Sequence, residues 1–274
     1  MPVISTNTAA DSAVRYLNIN SAQESSALSK LSSGSRITSA SDDAAGLAIS
    51  TRISSDVTTL QQAATNASQA TSILQTADGG ASNISDILAR MKSLASESSS
   101  GTVTDSSRAY INSEFSQLSS EIDSIATGTR YSGQSLLDGS SSFASGVSVL
   151  VGSSATDTIT IQLSSLKASS LGVSSLDVST QSGATSALTA LDTAINTVSS
   201  ARANIGAQES RFNFSSDSIS TQTQNLKSAN SAITDVDIAS EQATLSSAEV
   251  KTQAAVSAET AANQMPQYLL KLLG

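Results

Sequence analysis

Residues 191–233 read LDTAINTVSSARANIGAQESRFNFSSDSISTQTQNLKSANSAI, and within them Leu191, Val198, Ile205, Phe212, Ile219, Leu226 and Ile233 fall seven apart without a miss. An ordinary amphipathic core helix drifts from a period of seven toward 3.6 over that distance, so an unbroken heptad marks helices that run alongside one another. Ala194, Ala201, Ala229 and Val236 flank this line.

The same period recurs toward the N-terminus, over 42–98. Ile53, Leu60, Ala67, Leu74, Ala81, Leu88 and Ala95 form one line, and Asp56, Ala63, Ala70, Ala77, Ile84 and Met91 a second, with Asp56 the one charge in either. Ser41-Asp42-Asp43 offers an N-cap and negative charge at the start of this helix. At 1.5 Å per residue the helix is on the order of 85 Å long, and Gly79-Gly80 is the expected place for a bend. A further helix, 104–126, places Ile111, Phe115, Leu118, Ile122 and Ile125 at alternating four- and three-residue steps, after a turn at Ser99-Ser100-Gly101. Proline occurs only at 2 and 266, so the strongest helix breaker is missing between them.

From 129 to 183 the period changes to two. Val147, Val149 and Val151 alternate with small residues, as do Ile159, Ile161 and Leu163, across a turn at 152–157, which predicts a β-hairpin. The expected fold is therefore mainly α: long antiparallel coiled-coil-like helices, a small β-hairpin region at the tip, and paired terminal helices. Its divisions are 1–40 with 237–274, 41–128 with 184–236, and 129–183.

Composition narrows the function. Ser, Ala and Thr make up 127 of the 274 residues, aromatics are 3% and tryptophan is absent, which suits helices packed close together better than a bulky globular core. With no cysteine and no histidine, the chain cannot form a disulfide, a thiolate nucleophile, a Cys/His zinc site or a histidine-based triad. Ser50 lacks the flanking glycines of a nucleophile elbow, and the alternating carboxylates of a calcium loop are missing, so no catalytic, cofactor or metal residue is expected. A net charge of −9 argues against a nucleic-acid partner. The first residues carry no Lys or Arg before Arg15 and no continuous apolar run, so no cleavable signal peptide is expected, and no stretch suits membrane insertion.

Residues 27–37 (ALSKLSSGSRI) and 39–49 (SASDDAAGLAI) closely resemble the N-terminal signature of bacterial flagellins. Asn66-Ala67, 74–77 (LQTA), 87–91 (ILARM) and 133–137 (GQSLL) are similar to later parts of that pattern. So are 202–208 (RANIGAQ), 233–237 (ITDVD) and 262–264 (ANQ) in the other half. The resemblance spans about four-fifths of the chain. It implies a subunit of the extracellular flagellar filament, a helical homopolymer for swimming motility. Terminal helices would line an inner tube, the heptad helices the next shell, and the hairpins the outside, without large outer domains. It also implies type III export with a chaperone, and contact with hook-filament junction and cap proteins.

On the terminal segments Leu17, Leu28, Leu31, Arg36, Ile37, Tyr268, Leu269, Leu272 and Leu273 are the expected assembly contacts, because helices this thin in apolar residues bury little alone. In flagellins detected by the vertebrate flagellin receptor, the resemblance assigns a patch to Arg90, Leu94 and Glu114. Ala89 stands where a glutamine is expected, and Lys92 and Ser93 also depart, so weak recognition is expected. Two alternatives stay open: a junction protein between hook and filament, and a secreted helical adhesin or effector.

Overall fold

A computed structural model of the chain describes residues 6–273, with the side chains of 266 and 269–273 set aside. In chain order the elements are α1 (Thr8–Ser33), α2 (Ala44–Ser99), α3 (Asp105–Gly128), β1 (Arg130–Tyr131), β2 (Gln134–Ser135), α4 (Ser142–Ser145), β3 (Val147–Leu150), β4 (Thr158–Ile161), α5 (Gln181–Thr234) and α6 (Ile238–Leu273). The chain is mainly α, as the heptads require. It divides into two compact units: residues up to Ser55 with those from Asn225 onward, and Asp56–Gln224. These are called the terminal and the central unit below. Their boundaries fall inside α2 and α5 rather than at helix ends, and the 129–183 segment belongs to the central unit.

Local chemistry starts and stops the helices. The Asp43 carboxylate accepts from Gly46 N–H at 2.8 Å and caps α2, so the capping oxygen comes from the last residue of the Ser41-Asp42-Asp43 triplet. Thr104 does the same for α3, accepting from Ser107 N–H at 3.3 Å. At the far end of α2 the buried guanidinium of Arg108 donates to the carbonyls of Ser98 at 2.9 Å and Ser100 at 2.8 Å, taking up acceptors that the helix end leaves open.

α2 runs through Gly79-Gly80 as one unbroken helix, and Gly80 serves packing there. A Cβ on Gly80 would stand 2.4 Å from Thr129 Oγ1 and 2.9 Å from Leu137 Cδ1, so the absent side chain lets the 129–137 segment lie against the helix.

The core of the central unit joins Leu74, Ile84, Leu88 and Met91 of α2, Phe115 and Ile122 of α3, and Leu191, Val198 and Phe212 of α5. Ala67, Ala70, Ala77 and Ala81 fill the α2 seam between the large residues, and Ala184, Ala187 and Ala194 do so on α5. Each buried large side chain contributes about 1.5–3 kcal/mol, and the alanines bring the backbones close enough for those contacts.

β3 and β4 pair antiparallel, Val147 opposite Ile161 and Val149 opposite Ile159. A second, two-residue pairing joins β1 to β2, Tyr131 opposite Gln134. Its loop is Ser132-Gly133 with φ of 48° and 83°, the doubly positive geometry of a type I′ turn, where glycine costs nothing.

In the terminal unit, α1 lies antiparallel to α6. Asn7 Nδ2 donates to the Ala262 carbonyl at 2.8 Å, and Thr252 Oγ1 to Glu24 Oε2 at 3.2 Å.

Candidate assembly interface

Side chains on both helices tie α2 to α5. Gln75 donates to Glu209 at 2.9 Å, Asp78 accepts from Arg202, and Lys92 pairs with Asp192. The numbers in each pair add to 280–284, the signature of two helices running antiparallel in constant register. That register sets the bulky Phe212 level with 68–72, where α2 carries Ala70, so a large residue faces a small one across the seam.

Of the heptad residues, Leu74, Leu88, Ile111, Phe115, Ile122, Leu191, Val198, Ile205 and Phe212 share the single core cluster, and Leu118 packs half-buried against it. Leu60 and Ile219 are buried as well. Ile53, Leu226 and Ile233, in the terminal unit, are half-buried.

Within the terminal unit, the loop after α1 crosses the end of α5. Ser35 and Asp235 form an isolated antiparallel bridge, Arg36 N–H donates to the Thr234 carbonyl at 2.6 Å, and Val236 N–H to the Gly34 carbonyl at 3.1 Å. The Arg36 guanidinium donates to the Ile233 carbonyl at 2.6 Å, so it satisfies a carbonyl of the last turn of α5. Ile37 is turned inward, 8% exposed, with its Cδ1 packed over Gly46. Both residues were expected at an intersubunit contact. Within one chain, the exposed Arg36 gives an open carbonyl at the end of α5 its donor, and Ile37 forms an apolar plug beneath the loop.

Next along this loop, the Asp42 carboxylate accepts from the Thr38 hydroxyl at 2.8 Å and from Thr38 N–H and Ser39 N–H at 3.0 Å each. These donors favour the charged form and lower its pKa to about 2.

The paired terminal helices are inverted relative to an ordinary helix pair. What they bury is mostly alanine: Ala13 and Ala27 on α1, and Ala248, Ala255 and Ala262 with Leu245 on α6. The larger apolar side chains point outward, among them Val14, Tyr16 and Leu28 on α1 and Val250, Val256 and Tyr268 on α6. Leu28 is 58% exposed and Tyr268 63% exposed, while Leu17 and Leu31 are half-buried. The side chains of Leu269, Leu272 and Leu273 lie outside the described residues. Of the thirteen large hydrophobics exposed among the described residues, all but Tyr110 and Phe214 belong to the terminal unit. An apolar surface of this kind marks a site of association.

Of the expected receptor patch, Arg90 and Glu114 do meet, guanidinium to carboxylate at 2.6 Å on the surface between α2 and α3. Leu94 does not join them. It is 2% exposed and belongs to the core cluster, because it lies three residues past Met91 and continues the buried stripe of Ile84, Leu88 and Met91. Among the described residues no helix is long and apolar enough to cross a membrane.

The heptads located the seam but not its polar fastenings. The Asp78–Arg202 fork and the Arg108 cap each depend on a partner from another element, which local spacing does not identify. The β1–β2 turn did carry a signal, a Ser-Gly dipeptide between Tyr131 and Gln134.

Residues 4–142 match the family model described as the bacterial flagellin N-terminal helical region, and 188–273 the C-terminal helical region. The chain is 35% identical to a flagellin of Halalkalibacterium halodurans over 99% of both chains. It is 30% identical to the flagellar filament 41 kDa core protein of Borreliella burgdorferi, again over 99% of both. Among solved structures, the crystal structure of Bacillus cereus flagellin superposes with a TM-score of 0.52 at 29% identity, covering 61% of this chain and 94% of that one. With both halves of the family pattern present and relatives matched nearly end to end, this chain belongs to the bacterial flagellins.

Proposed function

We propose that the chain, a structural subunit of the bacterial flagellar filament and not an enzyme, polymerises through the outward apolar faces of α1 and α6. The observation that carries this is the inversion just described: alanines meet inside the pair, and Leu28 with valines and tyrosines faces out. A head-to-tail contact that does not close produces a helical filament, in which neighbouring copies cover those faces. In this reading the terminal segments, 1–40 with 237–274, form an inner tube. The heptad segments, 41–128 with 184–236, surround it, and 129–183 faces outward. The filament is extracellular, its subunits leave through the flagellar type III apparatus with a chaperone, and they meet junction and cap proteins at the filament ends.

Electron microscopy of purified protein added to filament seeds tests the reading, with elongation as the expected result. Leu28→Lys should leave the melting of the monomer within about 0.5 kcal/mol, as an exposed site allows, while suppressing elongation. Parent protein that never elongates, or a Leu28→Lys chain that elongates like the parent, overturns it. The first outcome favours a secreted helical adhesin or effector.

A further inference from the structure

Outside the terminal unit, two large apolar side chains remain exposed among the described residues, Tyr110 at 79% and Phe214 at 75%. A chain with only eight Phe and Tyr residues leaves a phenylalanine almost wholly in water at Phe214, although burying such a ring is among the largest apolar gains open to it.

The same unit carries a cleft of about 490 Å³ between α5 and the extended segment that follows β4. Its lining is mixed: Leu163, Leu166 and Ile205, with little of their surface left open, lie beneath polar Asn204, Gln208 and Arg211. Gln208 holds the cleft open in a fixed shape. Its side chain accepts from Gln162 N–H and donates to the Gln162 carbonyl, both at 3.0 Å, fastening the extended segment to the helix. The cleft is thus formed before anything occupies it.

Phe214 cannot fill it from within the same molecule. Ile205 and Phe214 are nine residues apart on one helix, which places them on opposite sides, about 13 Å apart along the axis. Arg211 and Asp217 flank Phe214 one turn to either side, and among the described residues neither forms an ion pair. Each is an exposed, unmatched charge.

We infer that Phe214 of one subunit seats in this cleft on the next, over Leu163, Leu166 and Ile205, with Asp217 of the first meeting Arg211 of the second. The inference rests on the filament reading and names a contact in the central unit that accompanies the terminal one. A ring and a receptor site that lie apart along one helix form a contact that can pass from copy to copy, as a filament requires. Complementary charges beside the ring fix which way round the copies meet.

The test uses the full-length chain on filament seeds. Parent protein comes first, since its failure to elongate would overturn the filament reading and this contact with it. Given elongation by the parent, Phe214→Ala should raise the critical concentration about tenfold or more, the scale of a central interface residue, with monomer melting unchanged. Arg211→Asp and Asp217→Arg should each weaken growth, and the double exchange should restore it, because the two residues are six apart on one helix and do not face each other within a subunit. The chain has no cysteine of its own, so the variant carrying Arg211→Cys and Asp217→Cys should give a ladder of covalent oligomers on oxidation of filaments. Two cysteines so placed on a single helix are too far apart to bridge each other. An unaffected critical concentration in Phe214→Ala, a double exchange no better than its single variants, or oxidised filaments that stay monomeric or stop at a dimer would overturn the contact.

Discussion

Arg202 on α5 grips Asp78 on α2 through two parallel hydrogen bonds, Nε to Oδ1 at 2.8 Å and Nη2 to Oδ2 at 3.2 Å. The planar fork of arginine matches both carboxylate oxygens, which a lysine cannot do. Donating these hydrogen bonds to Asp78 raises the Arg202 pKa above its ordinary value. Both side chains are more than a third exposed, so water screens the pair and limits its worth. Arg202→Ala should cost about 1 kcal/mol and Arg202→Lys somewhat less. A double-mutant cycle with Asp78→Ala, read by urea unfolding of the monomer, should return a coupling of about 0.5–1 kcal/mol.

Burial sets a larger effect farther along the same helix. Ile219 is 4% exposed, and Ile219→Asp would place a carboxylate with no partner in apolar surroundings, at a cost of roughly 3 kcal/mol or more. Phe212→Ala, at a fully buried site, should cost about 3–5 kcal/mol through the cavity it leaves. Monomer melting curves should rank both well below the parent, and an Ile219→Asp protein melting with the parent would remove Ile219 from the seam.

The adjacent glycines of α2 should respond to alanine with opposite signs. Nothing stands within 4 Å of a Cβ placed on Gly79, whereas one on Gly80 collides with Thr129 and Leu137. Gly79→Ala should therefore stabilise by about 0.5–1 kcal/mol through helix propensity. Gly80→Ala should destabilise by about 1–3 kcal/mol by forcing the 129–137 segment away. Urea midpoints of the two variants check both signs.

Asp42 supplies a pH signature. The Thr38 hydroxyl, followed by the N–H groups of Thr38 and Ser39, depresses its pKa from the usual 3.8 to about 2. A folded-state pKa below the unfolded one stabilises fully above pH 4 and loses that contribution as the pH falls toward 2. Titration of the Asp42 carboxyl carbon by NMR should give a midpoint near 2, and Thr38→Ala should move it upward. A midpoint near 3.8 in the parent would show that the loop donors do not hold the carboxylate.

How much of this was legible in the sequence depended on the range of the interaction. Seven-residue spacing from Leu191 onward and two-residue spacing from Val147 onward are consequences of backbone geometry, so they survive in any single sequence and identified α5 and the β3–β4 pairing. The roles of Leu94, Ile37 and Gly80 depend on which face meets which neighbour. No local pattern encodes that: Leu94 lies one helical turn past an exposed arginine yet faces inward, and Gly80 reads as a hinge until Thr129 is known to lie against it. The outward valines and tyrosines of α1 and α6 are visible as letters, but that alanines take the inner positions is visible only in the packed pair.

The antiparallel α2–α5 register also fixes an order of events in time. Lys92 waits for Asp192, Asp78 for Arg202 and Gln75 for Glu209, partners 100 to 134 residues later in the chain. At about 5–20 residues per second of synthesis, that is a delay of roughly 5 to 30 s. During it α2 can close against α3, whose Glu114 lies 24 residues from Arg90, and against the 129–137 segment at Gly80. Loop closure over the longer distance must follow. A nascent chain therefore carries its alanine-and-leucine stripe half covered until α5 arrives, and for that interval it is a substrate for whatever binds unfolded protein.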